Sequence, residues 1–358
     1  MAQKKRLVSL DVLRGITVAG MILVNNSGGD FTYEPLKHSV WNGMTPCDLV
    51  FPFFLFIMGI STYISLNKFN FKLSKDVVLK VLKRTLIMLC IGWGINWFAH
   101  LCNGDFFPFA TLRLTGVMTR IALCYGVVSL MALLINHKHL IKLSILILAG
   151  YILILVLGNG YAYDESNLLG IIDRTLLGPQ HLYQKSIIDP EGVTSTLAAI
   201  VHTLIGFYCG NIIMRTKEVD QKVLKLFLVG FILIMLGWLF SYALPLNKRI
   251  WSPTFLCVTC GSASSLLALL MYFIDVKKKD RWTRVFLVFG MNPLFLYVFS
   301  EILAIIFSAS GINKIAYESI HVVIADPYIA SVTYALLYTL LFGVLGYVLF
   351  QKKIYIKI

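Results

Sequence analysis

Long apolar runs, separated by short basic or polar segments, dominate this chain. Ten of the runs are about 20 residues long, the length a helix needs to cross the ~30 Å hydrocarbon core of a bilayer. They cover residues 7–26, 47–67, 78–99, 116–135, 141–158, 193–214, 223–244, 252–274, 284–308 and 328–350. The pattern predicts an all-α polytopic membrane protein with about ten transmembrane helices. Because the runs are unbroken rather than alternating, it disfavours a transmembrane β-barrel.

The composition points to the same class of protein. Hydrophobic residues make up 58% of the 358 residues and charged residues 14%, whereas a soluble domain carries about 25% charged residues. No composition shift marks a separate soluble domain, so residues 1–358 are predicted to form a single transmembrane domain. The first run contains Asp11 and Arg14 and is not expected to be a cleaved signal peptide. The CxxC pair Cys257 and Cys260 has no second pair, so no metal site is predicted.

The basic residues predict how the helices are oriented. The chain has 32 Lys and Arg against 18 Asp and Glu, a formal net charge of +14. With both termini in the cytoplasm, 23 basic residues fall on that side and seven on the outside, as the positive-inside rule requires. Topology therefore explains the charge, and nucleic acid is not an expected partner. The predicted outer loops are 27–46, 100–115, 159–192, 245–251 and 309–327.

Polar residues inside the first run mark a candidate functional helix, because ionisable groups within a membrane span are costly. Asp11 and Arg14 are three residues apart and share one helix face. Asn25 lies about 20° from that face and ~16 Å further along the axis. The spacing predicts one polar stripe along the helix. A buried ion pair with a helix-packing amide is the structural alternative.

The loop after this helix offers groups suited to acid–base chemistry. Histidine is the side chain best matched to proton transfer near neutral pH, which makes His38 a candidate. Asp48 could orient or charge-stabilise its imidazole, and the Asn25 amide could stabilise an oxyanion. A solvated loop histidine is the alternative interpretation.

Two further pairs of polar residues leave their roles open. Arg113 and Arg120 are seven residues apart on one helix face, where they could bind an anion, pair with acids or anchor the helix. Asn292 and Glu301 lie about 180° apart on a straight helix, but Pro293 can kink it. Spacing therefore does not decide whether Asn292 and Glu301 share a site.

Taken together, the motifs of the chain resemble those of the heparan-α-glucosaminide N-acetyltransferase family of membrane acetyltransferases. The resemblance is collinear over nearly the whole chain. The motifs are SLDVLRGITVAGMILVNNSGG, KHSVWNG, DLVFPFFLFIMGIS, RLTGVMTRIALCY, IIDRTLLGPQHLYQ, DPEG, NKRIWSPTF, GMNPLFLYVFSE and KKIYIKI. The chain is expected to be a compact bacterial-type homologue, without the extra N-terminal domain and additional first span of lysosomal members.

The resemblance implies a specific activity. Family members move an acetyl group from cytosolic acetyl-CoA through a membrane to the amine of a glucosamine residue on the far side. It implies that His38, Asn25 and Asp48 are catalytic, and it matches Asp11 and Arg14 to the shared LDxLRG start. His38 would either take the amine proton or accept the acetyl group itself, and the sequence leaves both routes open. The family also suggests a homodimer in the cell membrane, with His38 on the extracytoplasmic face.

The remaining site candidates divide between donor and acceptor. The donor set, for acetyl-CoA, is predicted to comprise Asp11, Arg14, Arg120 and Asn292. The acceptor set, for an amino sugar, is predicted to comprise Trp41, Asp173, His181, Glu191 and Trp251. The acids would hold hydroxyl or ammonium groups and the aromatic residues would pack on a sugar face. Ordinary loop structure is the alternative for the acids.

A transporter is the alternative function. Polar stripes within membrane helices also occur in secondary transporters, and a proton-coupled sugar or small-molecule transporter would use Asp11, Arg14 and Glu301 as relay groups. The sequence shows no inverted repeat and no pair of broken helices, so the enzyme is favoured.

Overall fold

A computed structural model of the protein describes residues 7–356, and every regular element in that part of the chain is helical. The thirteen α-helices are α1 (Val8–Asn25), α2 (Val50–Asn67), α3 (Lys75–Cys102), α4 (Val117–Leu134), α5 (His137–Leu157), α6 (Leu168–Leu177), α7 (Val193–Arg215), α8 (Val219–Phe240), α9 (Pro253–Met271), α10 (Arg284–Met291), α11 (Pro293–Ser310), α12 (Ile312–Val323) and α13 (Pro327–Gln351). Nine helices of the described chain are long and apolar enough to cross a membrane. The predicted all-α polytopic fold is therefore confirmed.

All ten predicted runs fall in helical segments. Two of them differ from a single membrane-spanning helix. The run 78–99 belongs to α3, which extends over 28 residues but is not among the nine helices; charged residues crowd its first turns. The run 284–308 is not one helix. It breaks at Asn292, and Pro293 opens α11, because proline lacks a backbone N–H and suits the first turn of a helix.

Close helix crossings fix the position of α1, which carries the polar stripe. A Cβ added to Gly15 would lie 1.8 Å from the carbonyl oxygen of Phe286, and one added to Gly290 would lie 2.0 Å from that of Asp11. Only glycine permits backbones to approach so closely. α10 therefore packs directly on the N-terminal half of α1, beside Asp11.

A second close crossing joins α2 to α7 and fixes α2 in the centre of the bundle. A Cβ on Gly59 would lie 2.1 Å from the carbonyl oxygen of Thr203, and one on Gly206 would lie 2.2 Å from that of Phe56. By contrast, only 17% of the membrane-length windows of α5 and α8 is buried. Those helices leave their apolar faces to the lipid.

Candidate functional site

The loop that carries His38 is held in place by the start of α2. Pro46–Leu49 forms one 3₁₀ turn, and Thr45 and Asp48 make a reciprocal capping box there. The Asp48 Oδ2 atom accepts from the backbone N–H of Thr45 at 3.1 Å, from its hydroxyl at 3.1 Å and from the N–H of Ser39 at 3.2 Å. This carboxylate is fully buried, so its orientation is fixed by the backbone around it.

The other oxygen of Asp48 faces His38. The His38 Nδ1 atom lies 2.8 Å from Asp48 Oδ1, and the histidine side chain is 50% exposed. The predicted pairing of these two residues is therefore present. A buried carboxylate that bonds one ring nitrogen of an accessible imidazole can fix its tautomer and stabilise its protonated form.

Sequence reasoning missed two neighbours of this pair. Lys248 Nζ lies 2.8 Å from His38 Nδ1 and 3.3 Å from Asp48 Oδ1. Cys47 Sγ lies 3.1 Å from the same nitrogen. Lys248 lies in the NKRIWSPTF motif and is one of the seven basic residues predicted outside. Both features mark it as a candidate for a functional role. No spacing rule, however, connects it to His38.

Lys248 stands on a tight turn between α8 and α9. The Asn247 N–H donates to Ser252 Oγ at 3.0 Å, and Asn247 Oδ1 accepts from the Ile250 N–H at 3.2 Å. The Gly43 N–H donates to the carbonyl of Leu246 at 2.7 Å, which ties this turn to the histidine loop. The turn therefore presents its side chains at a defined place.

The predicted sugar contact of Trp251 does not agree with its position. The exposed fraction of Trp251 is 0%, and its ring packs edge-on against Phe51, His202 and Phe255. An indole with no exposed surface offers no face to a sugar. Trp251 instead anchors the turn that carries Lys248.

The Asn25 amide is engaged on another helix. Its Nδ2 donates to Glu301 Oε1 of α11 at 3.1 Å. The side chains in polar contact with His38 within residues 7–356 are those of Cys47, Asp48 and Lys248. The broken helix thus brings Glu301 to Asn25, and the oxyanion role of Asn25 stays a prediction.

Glu191 and Asp189 form a buried cluster with Arg113. The Arg113 guanidinium lies 2.7 Å from Glu191 Oε2 and 3.2 Å from Asp189 Oδ1, and it stacks on the ring of Tyr183. Burial lowers the pKa of Arg113, but the two carboxylates outweigh this effect and raise it above its usual value. These contacts favour the structural alternative for Glu191 over a sugar contact.

Asp173, Arg120 and His181 also serve the fold. Asp173 is buried and accepts from the N–H and hydroxyl of Thr194 at the start of α7, at 3.1 and 3.0 Å; burial raises its pKa. Arg120 is buried in the same region and donates to the Gly192 carbonyl and to Ser195; these contacts favour a structural role, and its contact with the donor stays a prediction. His181 Nδ1 donates to a loop carbonyl at 2.7 Å.

Trp41, three residues after His38 in the chain, contributes a partly exposed aromatic surface. Its Nε1 donates to the Tyr161 carbonyl at 2.8 Å, and its ring packs against that of Tyr163 at a tilt of 34°, with centroids 4.7 Å apart. Both rings remain partly exposed. Trp41 therefore keeps the geometry that its predicted sugar contact needs.

A basic cleft lies at the other end of α1, ~16 Å along the helix from Asn25. Arg14 donates to Asp11 Oδ1 and to Ser61 Oγ, both at 2.8 Å. Two cavities of about 520 and 410 Å³ share Arg14, Ser61 and Ser65. Their other cationic lining residues are Lys68, Lys80, Arg84 and Lys222.

Asn292 reaches this cleft only indirectly. Its Nδ2 donates to the Ile354 carbonyl at 2.9 Å, and its Oδ1 accepts from the Ile356 N–H at 2.8 Å. Ile356 and Pro293 line the smaller cavity. Because Asn292 is buried and both its amide nitrogen and its amide oxygen are hydrogen-bonded to the backbone, it holds the C-terminal segment against the cleft. Its direct contact with the donor stays a prediction.

Comparison with known proteins gives one consistent result. The catalytic family model of heparan-alpha-glucosaminide N-acetyltransferase matches residues 6–242. Heparan-alpha-glucosaminide N-acetyltransferases of Mus musculus and of Homo sapiens are each 30% identical over 412 aligned positions, which cover 99% of this chain and 60% of each relative. The chain thus spans about three fifths of the length of these relatives.

Proposed function

Because the chain belongs to the heparan-α-glucosaminide N-acetyltransferase family, we propose that it is a membrane acetyltransferase that moves an acetyl group from acetyl-CoA to the amine of a glucosamine-type sugar. One observation carries the proposal. An accessible imidazole paired with a buried carboxylate, His38 with Asp48 at 2.8 Å, lies at the start of α2, and the basic cleft around Arg14 is lined by Ser61 and Ser65 towards the end of the same helix.

The cleft suits a long, polyanionic donor. Arg14 and the lysines around it supply positive charge for the phosphates of acetyl-CoA. The polar stripe of α1 then gives the pantetheine arm a path towards His38. A donor bound in this way brings its thioester to the far end of the helix while its nucleotide stays at the near end.

The chemistry at His38 follows from its two nitrogens. When Nδ1 donates to Asp48, Nε2 carries a free lone pair and can take a proton from the attacking amine. The amine nitrogen bonds to the acetyl carbon, the carbon–sulfur bond breaks, and CoA leaves with the sulfur. Alternatively Nε2 itself attacks the acetyl carbon, the carbon–sulfur bond breaks and CoA leaves; in a second step the amine takes the acetyl group from Nε2 and the imidazole is restored.

The acceptor would bind over the loop surface beside His38. Trp41 and Tyr163 form a tilted, partly exposed pair of rings, and aromatic faces pack well on the apolar side of a sugar ring. The exposed Asn42 amide, which is held by Asn247, stands beside this pair and can reach sugar hydroxyls.

The distribution of basic residues supports a cell-membrane protein with cytoplasmic termini and an extracytoplasmic His38. Its expected partners are acetyl-CoA, the amino sugar and membrane lipid. A homodimer is proposed on the family resemblance alone.

The decisive experiment supplies radiolabelled acetyl-CoA and glucosamine to purified protein in liposomes. We expect N-acetylglucosamine to form when the sugar is trapped inside and the donor is added outside to right-facing protein. H38A should abolish product, whereas H139A, which changes an exposed histidine at the start of α5, should not. Uptake of unmodified glucosamine, with no acetylated product, would instead establish the transporter.

A further inference from the structure

Lys248 occupies a position that lysine rarely takes. Its side chain is only 12% exposed, and lysine is almost never buried without a partner. Within residues 7–356 its polar side-chain contacts are with the two members of the proposed catalytic pair: Nζ lies 3.3 Å from Asp48 Oδ1 and 2.8 Å from His38 Nδ1. The same Nζ lies 3.4 Å from His38 Nε2, so it reaches both nitrogens of the ring.

This placement is built into the fold. The turn that carries Lys248 is closed by the bonds of Asn247 and anchored by the buried indole of Trp251. Asn247 also donates to Asn42 of the histidine loop at 3.1 Å. Hydrogen bonds therefore join the two loops. Because the loops are already fixed, less conformational entropy is lost when the Lys248 side chain is held beside the imidazole.

Lys248 and Asp48 compete for one nitrogen. Nδ1 of a neutral imidazole carries either a proton or a lone pair, so it can donate to Asp48 or accept from Lys248, but not both. The form that donates to Asp48 leaves Nε2 ready to react. In that form the ammonium has three N–H groups, keeps Asp48 as an acceptor, loses Nδ1 and lies 3.4 Å from the reactive Nε2.

We propose that Lys248 is a further catalytic residue, whose ammonium donates a hydrogen bond to the acetyl oxygen while the carbonyl carbon reacts at His38. This assignment rests on the proposed acetyl transfer. As the new bond forms to the acetyl carbon, negative charge collects on its oxygen, within reach of a cation positioned close to Nε2. When CoA leaves and the carbonyl reforms, the ammonium keeps its proton.

The contacts of Asn25 strengthen this assignment. The Asn25 amide is bonded to Glu301, while Lys248 already contacts the imidazole. A positively charged donor is also worth more than a neutral amide at a developing negative charge. The structure thus supplies an electrophilic group at His38 without requiring Asn25 to change partners.

The kinetic test compares K248M and K248R with K37M. Lys37 is adjacent to His38 in the chain but pairs with Glu34, so K37M removes the same charge from the same loop. We expect K248M to lower kcat by ~10²–10³-fold, the cost of losing one oxyanion donor, with KM for acetyl-CoA nearly unchanged. K248R should recover part of kcat. A K248M kcat within threefold of that of K37M would overturn the proposal.

A second measurement does not depend on the natural acceptor. Diethyl pyrocarbonate acylates histidine through a similar tetrahedral oxyanion, and peptide mass spectrometry reports its rate at His38 relative to the exposed His139. We expect K248M to slow acylation of His38 at least tenfold relative to His139, and K37M to leave the ratio unchanged. K248Q replaces K248M if the latter does not purify as folded protein.

The two measurements separate the two proposals. Slow acylation of His38 in K248M supports the role of Lys248 even if wild-type protein acetylates no amine, a result that would remove the proposed function alone. An unchanged or faster acylation ratio overturns the role of Lys248, even if wild-type protein forms N-acetylglucosamine.

Discussion

Asp48 divides its two carboxylate oxygens between the fold and His38. Oδ2 closes the capping box with Thr45 at the start of α2 and accepts from Ser39, whereas Oδ1 lies 2.8 Å from His38 Nδ1. The same side chain that starts a membrane helix thus orients the imidazole. Stability and activity are linked at this residue, but they can be separated by substitution.

The substitution D48N should separate them. An amide of the same shape can still accept through one oxygen, but it presents no negative charge to His38 and can hold the wrong tautomer. We expect kcat to fall by ~10²–10⁴-fold, in the range seen when a triad carboxylate becomes an amide. Acetyl transfer from labelled acetyl-CoA to glucosamine measures the change.

T45A is the matched control, because Thr45 contacts Asp48 but not His38. Loss of a capping side chain costs about 1 kcal/mol of stability. T45A should therefore lower the melting temperature while kcat stays within about threefold of the wild-type value. A larger fall in kcat for T45A than for D48N would contradict the division of roles between the two oxygens.

Contacts at the candidate site could be predicted from the sequence only between residues that are close in the chain. The pairing of His38 with Asp48 was predictable, because ten residues separate them and both belong to quoted motifs. Lys248 lies 210 residues from His38, and no periodicity relates the two loops. The sequence places Trp251 in a short outer loop, where its ring could pack on a sugar, but the structure buries that ring completely. Only packing distinguishes a ligand surface from a buried anchor.

Spacing along the chain also says little about the partners of charged and amide residues. A helical spacing puts Arg120 on a polar face, but it does not say which loop covers that face. Asn292 was correctly linked to a break in its helix, yet the partner of its amide, the backbone at Ile354 and Ile356, comes from the end of the chain. Apolar runs, by contrast, predict spans well because lipid requires each of them to be helical.

The ion pairs of Arg113 give a prediction about stability. E191Q removes one of the two carboxylates that pair with Arg113 and leaves Asp189 in place, so we expect a loss of about 1–3 kcal/mol, the cost of weakening one hydrogen bond to a buried charge. E191Q should therefore lower the melting temperature markedly, while KM for glucosamine in the surviving folded protein changes by less than about twofold. E318Q, which changes an exposed acid, should leave the melting temperature unchanged. A raised KM for glucosamine at an unchanged melting temperature would restore Glu191 as a substrate contact.

The contact between Asn292 and the C-terminal segment predicts a donor-specific defect. N292A removes the two bonds that hold Ile354 and Ile356, and Ile356 lines the smaller cavity of the cleft. We expect KM for acetyl-CoA to rise several-fold, with kcat at saturating donor within about twofold of wild type. N103A, on an exposed residue at the end of α3, is the control. Equal effects on kcat and KM would place Asn292 in the reaction itself.

The cations of the cleft give the last prediction. Lys80 and Arg84 line the smaller cavity together with Arg14, and the Arg84 guanidinium stacks on Tyr125 at 4.5 Å. A hydrogen bond to a charged group contributes about 1.5–3 kcal/mol. K80M and R84M should each weaken acetyl-CoA binding by ~10-fold or more, measured by calorimetry on purified protein.

The salt dependence of acetyl-CoA binding tests whether K80M and R84M act by removing a charge. Interactions between phosphates and solvent-facing cations weaken as salt rises, so raising the salt concentration should weaken donor binding to wild type more than to K80M. K138M, on an exposed lysine at the start of α5, should bind the donor as wild type does. If K80M and R84M bind acetyl-CoA as tightly as K138M, the nucleotide does not occupy this cleft. The donor would then not reach His38 from the cleft along α1.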